Sequence, residues 1–309
     1  MNVSIGICAY NEEYNIGNLL NDLVMQFVSH PFRIMEIIVI SSGSTDGTNE
    51  IVKKFAAKDS RIKLIVEKKR KGKAHALNIF LSIAKGDILV IISADTRLGD
   101  KALLRLLEAI KEDVGGACAN TVPKSKNSSS IHVFYQFLWK VHNRMLFKEM
   151  NRGTLSHLGG DMWAIRRGIV RKIPAWIIND DAYIGITLKR KGWKIAFVPN
   201  AKVFIYSPSN PVDFIRQRKR ILIGHRQIEK KVGVTPTTIG ALALKKPHYS
   251  ILMLVEELKS HKIIDYPKIA IGILLEVLCN LLAILSIWKM SSYVLWEQIR
   301  STKTDVRKN

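Results

Sequence analysis

A strand built only from aliphatic residues, Ile88-Leu89-Val90-Ile91-Ile92, runs directly into Ser93-Ala94-Asp95. Such a run has no polar face to give to water, so it needs cover on both sides, as in a parallel sheet layered between helices. Three comparable runs precede it, Val3 to Ala9, Glu36 to Ile40 and Ile62 to Val66. Between them, Asn15 to Phe27, Thr48 to Lys58 and Lys73 to Ala84 carry helical apolar spacing. The alternation predicts right-handed βαβ units, hence an α/β domain around a mainly parallel sheet with helices on both faces. Ligands of such sheets bind beyond the carboxyl ends of the strands. The segments arriving there are Ala9-Tyr10-Asn11-Glu12, Ser41-Ser42 followed by Gly43 to Thr48, and Ser93-Ala94-Asp95.

Beyond a helix near Lys101 to Glu112 the rhythm weakens. Thr121 to Ser130, with Pro123 and a serine run, reads as a loop, and His132 to Phe147 as an aromatic-rich helix. Trp163 to Arg166 and Ile195 to Val198 read as further strands. Asn210-Pro211-Val212-Asp213 is a helix start, with Asn to cap, Pro at the first position and Asp near the positive end. On that helix Gln217, Arg220 and Gly224 share a face. Ile269 to Trp288 is apolar except for Glu276 and Asn280. As a helix it is roughly 30 Å long, about a bilayer core. It spans a membrane, lies on one, or packs in an oligomer. Lys268 and Lys289 flank it and Arg300, Lys303, Arg307 and Lys308 follow, so charge sets no orientation. The expected division is a catalytic domain over residues 1–232 and a helical, membrane-associated region over 233–309.

Charge narrows the partners. The 309 residues hold 48 Lys and Arg against 26 Asp and Glu, a balance of +22 that attracts nucleic acid, anionic lipid or nucleoside diphosphates. The basic residues are scattered over an α/β pattern with no recognisable reading motif, which argues against nucleic acid. Cys8, Cys118 and Cys279 are too far apart for a zinc spacing or a disulfide framework, and a reducing compartment is expected. The first residues lack the features of a signal peptide, so the catalytic domain is expected on the cytoplasmic side of the cell membrane.

Asp95, at a strand terminus, is placed either to start a turn or to hold Mg²⁺ or Mn²⁺ against a diphosphate. Asp180-Asp181 opens a helix, where carboxylates suit the dipole. If both share one site, mutual repulsion raises one pKa and makes a better general base. Lys73, at another helix start, either touches phosphate or is solvated, and the Gln217-Arg218-Lys219-Arg220 run supplies cations of phosphate-binding type.

Taken jointly, these segments resemble the family 2 glycosyltransferases of the GT-A fold group, which includes dolichyl-phosphate sugar synthases and polysaccharide synthases. The resemblance runs from about Val3 to Gly224. It rests on Ala9 to Glu12, Gly43 to Thr48, Gly72-Lys73-Ala74 through Asn78, Ala94-Asp95, Gly159-Gly160-Asp161 with Ala164 to Arg167, Asp180-Asp181 with Gly192-Trp193, and Gln217 to Arg220. It implies inverting transfer of a sugar from a nucleoside-diphosphate sugar to a lipid-linked or glycan acceptor. Asp95 then matches the metal ligand, Asp181 the general base beside Asp180, and Arg220 the pyrophosphate-binding Arg. Asn11 and Glu12 lie near base and ribose, and Ala9, Tyr10, Ser41, Ser42, Lys73, Ser93, Ala94, Gln217 and Arg218 belong to the donor site.

Three positions depart from the family pattern. Ser41-Ser42 stand where two Asp are common, Ser93-Ala94-Asp95 keeps one Asp of a two-Asp motif, and Ile221 replaces a Trp. The last, with at most one or two apolar spans, favours addition of a single sugar over polymer synthesis. Competing readings are a polyprenyl-phosphate sugar synthase, whose ionised acceptor needs no base, a nucleotidyltransferase, and a basic nucleic-acid-binding protein.

Overall fold

The computed structural model describes residues 1–125, 129–295 and 299–303. The expected βαβ rhythm is present as β1 (Asn2–Ala9), α1 (Ile16–Met25), β2 (Arg33–Ser42), α2 (Thr48–Ala56), β3 (Ile62–Glu67), α3 (Lys73–Ile83) and β4 (Ile88–Ser93). There follow β5 (Arg97–Leu98), α4 (Ala102–Glu108), β6 (Val114–Lys124), α5 (Ser130–Asn151), β7 (Met162–Arg166), α6 (Asp180–Arg190), β8 (Lys194–Tyr206) and α7 (Pro211–Val232). Three helices close the chain, α8 (Ile239–Lys245), α9 (Pro247–Leu258) and α10 (Tyr266–Leu285).

All strands form one eight-stranded sheet in the order β3-β2-β1-β4-β7-β6-β8-β5. β3, β2, β1 and β4 run parallel, β7 is antiparallel to both β4 and β6, and β8 is parallel to β6. Side-chain alternation along β4 feeds two cores. Ile88, Val90 and Ile92 pack with Leu19, Leu20 and Leu103 on one face, while Leu89 and Ile91 pack with Leu77, Phe80 and Trp163 on the other. Gly6 of β1 lets the Phe80 ring lie on the sheet, since a Cβ there would sit 2.7 Å from the ring.

One expectation fails in part: Thr121 to Lys124 continue β6 and are not loop, whereas 126–128 lie outside the described residues. Pro123, which has no N–H to donate, is tolerated because β6 there pairs with β8 alone, its pairing with β7 covering only Gly116 to Cys118.

The C-terminal helices are joined to the layers around the sheet. Arg218 of α7 donates to both oxygens of Glu276 on α10, the Nε bond measuring 2.9 Å. Gly272 of α10 lies against the Phe134 ring of α5, and Ile269, Cys279 and Ala283 are buried on the same side. The opposite side, with Ile271, Leu274, Val277, Leu278, Leu281 and Leu285, is exposed. Among the described residues this is the one helix long and apolar enough to cross a membrane.

Candidate active site

Every segment expected at the sheet edge arrives there. After β1 the chain turns at Asn11, whose φ of 51° is left-handed, and the loop after β2 holds it in place. The Asn11 and Glu12 amides donate to Ser44 Oγ (3.1 Å) and Thr48 Oγ1 (2.7 Å), and Asn11 Oδ1 accepts from the Thr45 amide (2.8 Å). Asp46 accepts from the Glu13 and Thr48 amides at 3.1 and 3.0 Å. The Gly43 to Thr48 segment is therefore chiefly a brace for Tyr10 to Glu13. The Arg70 guanidinium lies 3.8 Å over the Tyr10 ring and makes one wall. Ser41 Oγ donates to Ser44 Oγ, and the Lys71 amide to Ser42 Oγ, so both serines, expected at the donor site, fasten loops.

Asp95 follows β4 between two other carboxyl groups. Glu12 is pushed up to about 7 by burial and then by the charge of Asp95. Asp161, which precedes β7, is likewise pushed up to about 7 by burial and then by Asp95. Its backbone carbonyl accepts from the Ser93 amide (2.8 Å), and Thr121 Oγ1 lies 3.3 Å from its Oδ2. Ala9 and Ala94 are buried backbone supports beside this group. Sequence reasoning gave Asp161 no role, although the Gly160-Asp161 pair was the signal: Gly160, at φ 92°, turns the chain here.

The second cluster gathers at the start of α6. Lys73 Nζ pairs with Asp180 Oδ2 at 3.1 Å, and the charges of Asp180 and Asp181 reach Arg220 on α7. Asn179 places the two helices together: its Nδ2 donates to the Ile221 carbonyl (2.9 Å), and only a glycine at 224 leaves room for its amide. Gln227 completes the joint, accepting from the Ile178 amide and donating to the Trp176 carbonyl.

The two carboxylates have separated in character, but not in the expected sense. Burial, with the charge of Asp181, raises Asp180 despite Lys73. Asp181 lies below the ordinary carboxylate range because His157, which sequence reasoning missed, outweighs the effect of burial. Two further expectations need adjustment. Arg218 faces Glu276 on α10, and Gln217 accepts from the Tyr135 hydroxyl (3.1 Å), so both connect helices, whereas Arg220 faces the acidic pair. Lys303, from the far end of the chain, pairs with Glu12.

The comparisons agree with this architecture. The sequence model of "Glycosyl transferase family 2" matches residues 4–174, more than half of the chain. The probable glycosyltransferase YdaM of Bacillus subtilis is 28% identical over 74% of this chain and 56% of its own length. The poly-β-1,6-N-acetyl-D-glucosamine synthase of Staphylococcus aureus is 24% identical over 70% of this chain and 53% of its own. The chain thus spans about half the length of these relatives. Among solved structures, the mannosyltransferase PcManGT of Pyrobaculum calidifontis superposes with a TM-score of 0.62 at 20% identity, covering 94% of this chain and 84% of that one. The fold is thus of the GT-A type, and the chain belongs to glycosyl transferase family 2.

Proposed function

We propose that the protein is an inverting glycosyltransferase that moves one sugar from a nucleoside-diphosphate sugar to a lipid-linked or glycan hydroxyl. The observation carrying this reading is the convergence, at one sheet edge, of Asp95 with Glu12 and Asp161 and of Lys73, Asp181 and Arg220. A divalent cation fits the first group. Burial and Asp95 drive Asp161, and Glu12 even with Lys303 beside it, toward holding protons, a conflict that a further cation would relieve. Among the described residues no three His, Cys, Asp or Glu side chains are grouped so as to hold a metal ion by themselves; Mg²⁺ or Mn²⁺ bound through one or two carboxylates takes its remaining ligands from phosphate oxygens and water. Asp95 would hold it, and the ion would neutralise charge on the departing diphosphate. PcManGT was solved with GDP-Man and Mn²⁺, which supports a donor and metal of this kind.

The chain's own groups then divide the work. Arg220, with Lys73 behind Asp180, adds positive charge where the leaving diphosphate accumulates negative charge. Asp181, with 26% of its side chain exposed, is open to an acceptor hydroxyl and takes its proton during in-line attack. A cleft of about 550 Å³ lies along α5, lined by Asn120, Thr121, Trp139 and Asn143 together with Lys140 and Arg144, and is proposed as the acceptor side although Asp181 does not line it. Its aromatic and amide lining suits a sugar.

Membrane attachment is proposed through α10, lying in the interface rather than crossing it. The helix is fixed at mid-length to Arg218 of α7, a helix that also carries Arg216, Lys219, Arg226, Lys230 and Lys231 and has no place in hydrocarbon. The functional assay is release of nucleoside diphosphate from a panel of UDP- and GDP-sugars with Mn²⁺ and a lipid extract. Turnover of one donor, lost on chelation, supports the reading, and no metal-dependent binding of any donor contradicts it.

A further inference from the structure

His157 lies in the segment between α5 and β7, against the start of α6, almost wholly buried, and both ring nitrogens are engaged. Nδ1 lies 3.0 Å from the Thr237 carbonyl and Nε2 lies 3.3 Å from Asp181 Oδ2. A carbonyl can only accept, so Nδ1 carries a proton. Neutral His157 would then turn a lone pair on Nε2 toward a carboxylate oxygen. Two acceptors face each other, and there is room for one proton between them.

We propose that His157 is a positioning residue that shares a single proton with Asp181, so that the pair, and not the carboxylate alone, receives the proton of the acceptor hydroxyl. This rests on the reading of Asp181 as the base. In the step, the acceptor oxygen bonds to the anomeric carbon and the bond from that carbon to the diphosphate breaks, the electron pair leaving with the diphosphate. The hydroxyl proton passes to Asp181 and settles between Oδ2 and Nε2. It returns to solvent through the exposed part of Asp181.

The surroundings favour one mobile proton at this place. His142 and His225 flank His157 with ring centroids 5.7 Å away on either side, and Trp139 covers His142. Burial, and then the charge on His157, push both outer imidazoles down to about 3, so they stay neutral. Lys73 and Arg218 add positive potential from α3 and α7. Against its own burial, Asp181 and the Thr237 carbonyl raise His157 above its ordinary value. The arrangement also resolves why so acidic an Asp can act as a base: its proton affinity is exerted through the imidazole, and the unprotonated pair grows as pH rises through the raised histidine value.

Nitrogen-15 histidine spectra of the full chain test the resting state. The expected result is Nδ1 protonated throughout and Nε2 losing its proton above pH 6.5, the ordinary histidine value, with Asp181→Asn moving that titration below it. The kinetic test follows release of nucleoside diphosphate from GDP-mannose and UDP-glucose with Mn²⁺, water serving as acceptor. In the wild type the rate should rise with pH through the value seen in the spectra. His157→Gln should retain donor affinity within about threefold, lose about 100-fold in rate, and lose that rising limb. Wild-type rate and pH profile in His157→Gln, with Asp181→Asn inactive, would overturn the shared proton while leaving Asp181 as base. Full activity of Asp181→Asn would remove the base and this inference together.

Discussion

Asp95 and Asp181 are both carboxylates at the edge of one sheet, yet their surroundings give them different chemistry. Asp95 stands near the carboxyl groups of Glu12 and Asp161 and is the proposed metal ligand, whereas Asp181 stands against an imidazole. Asp95→Asn should therefore lower donor turnover about 100-fold or more and abolish the response to added Mn²⁺, measured as nucleoside diphosphate release. His157 was illegible in the sequence because it meets Asp181 only through packing, from 24 positions away. Lys303 is still more remote, 291 positions from Glu12, and no local pattern could pair them. Asp95, Lys73 and Arg220 were legible because each follows a recognisable strand end or helix start.

At the scale of elements, apolar runs and turn residues were enough to place the strands from β1 to β4 and the helices between them. β5 escaped notice because two residues, Arg97 and Leu98, carry no periodicity. The joint between α6 and α7 depends on close approach, which sequence does not display. Gly224→Ala puts a Cβ 2.3 Å from Asn179 Oδ1, and Asn179 is itself fixed to the Ile221 carbonyl. Overpacking of about 1–3 kcal/mol should exceed the gain of about 1 kcal/mol in helix propensity, lowering the Tm and displacing Arg220. Thermal unfolding beside a diphosphate-binding assay checks both. The α10 attachment is tested by Glu276→Gln, which leaves Arg218 without its carboxylate and should cost about 1–3 kcal/mol in thermal stability.

Considered as a whole, the molecule is a two-faced α/β layer whose ligand edge is closed by its own C-terminal region. Thr237 reaches His157, Lys303 reaches Glu12, and Arg218 holds α10, so described parts of the C-terminal region touch the proposed site, while α10 also offers an apolar face. We propose that the division at residue 232 separates two roles in one structural body. If α10 lies on the bilayer, alkaline carbonate should release the protein from membranes. Leu274→Glu with Leu281→Glu should abolish sedimentation with anionic vesicles while leaving soluble-donor turnover within about twofold. Retention through the carbonate wash would instead indicate a spanning helix.

The central claim is that this edge binds a nucleoside-diphosphate sugar through a divalent ion held by Asp95. Calorimetric titration of GDP-mannose and of the UDP-sugars into the full chain, with Mn²⁺ and with chelator, tests it most directly. The account predicts binding of one of these donors that needs Mn²⁺ in the wild type and is lost in Asp95→Asn. Equal affinity with chelator, or in Asp95→Asn, would contradict it.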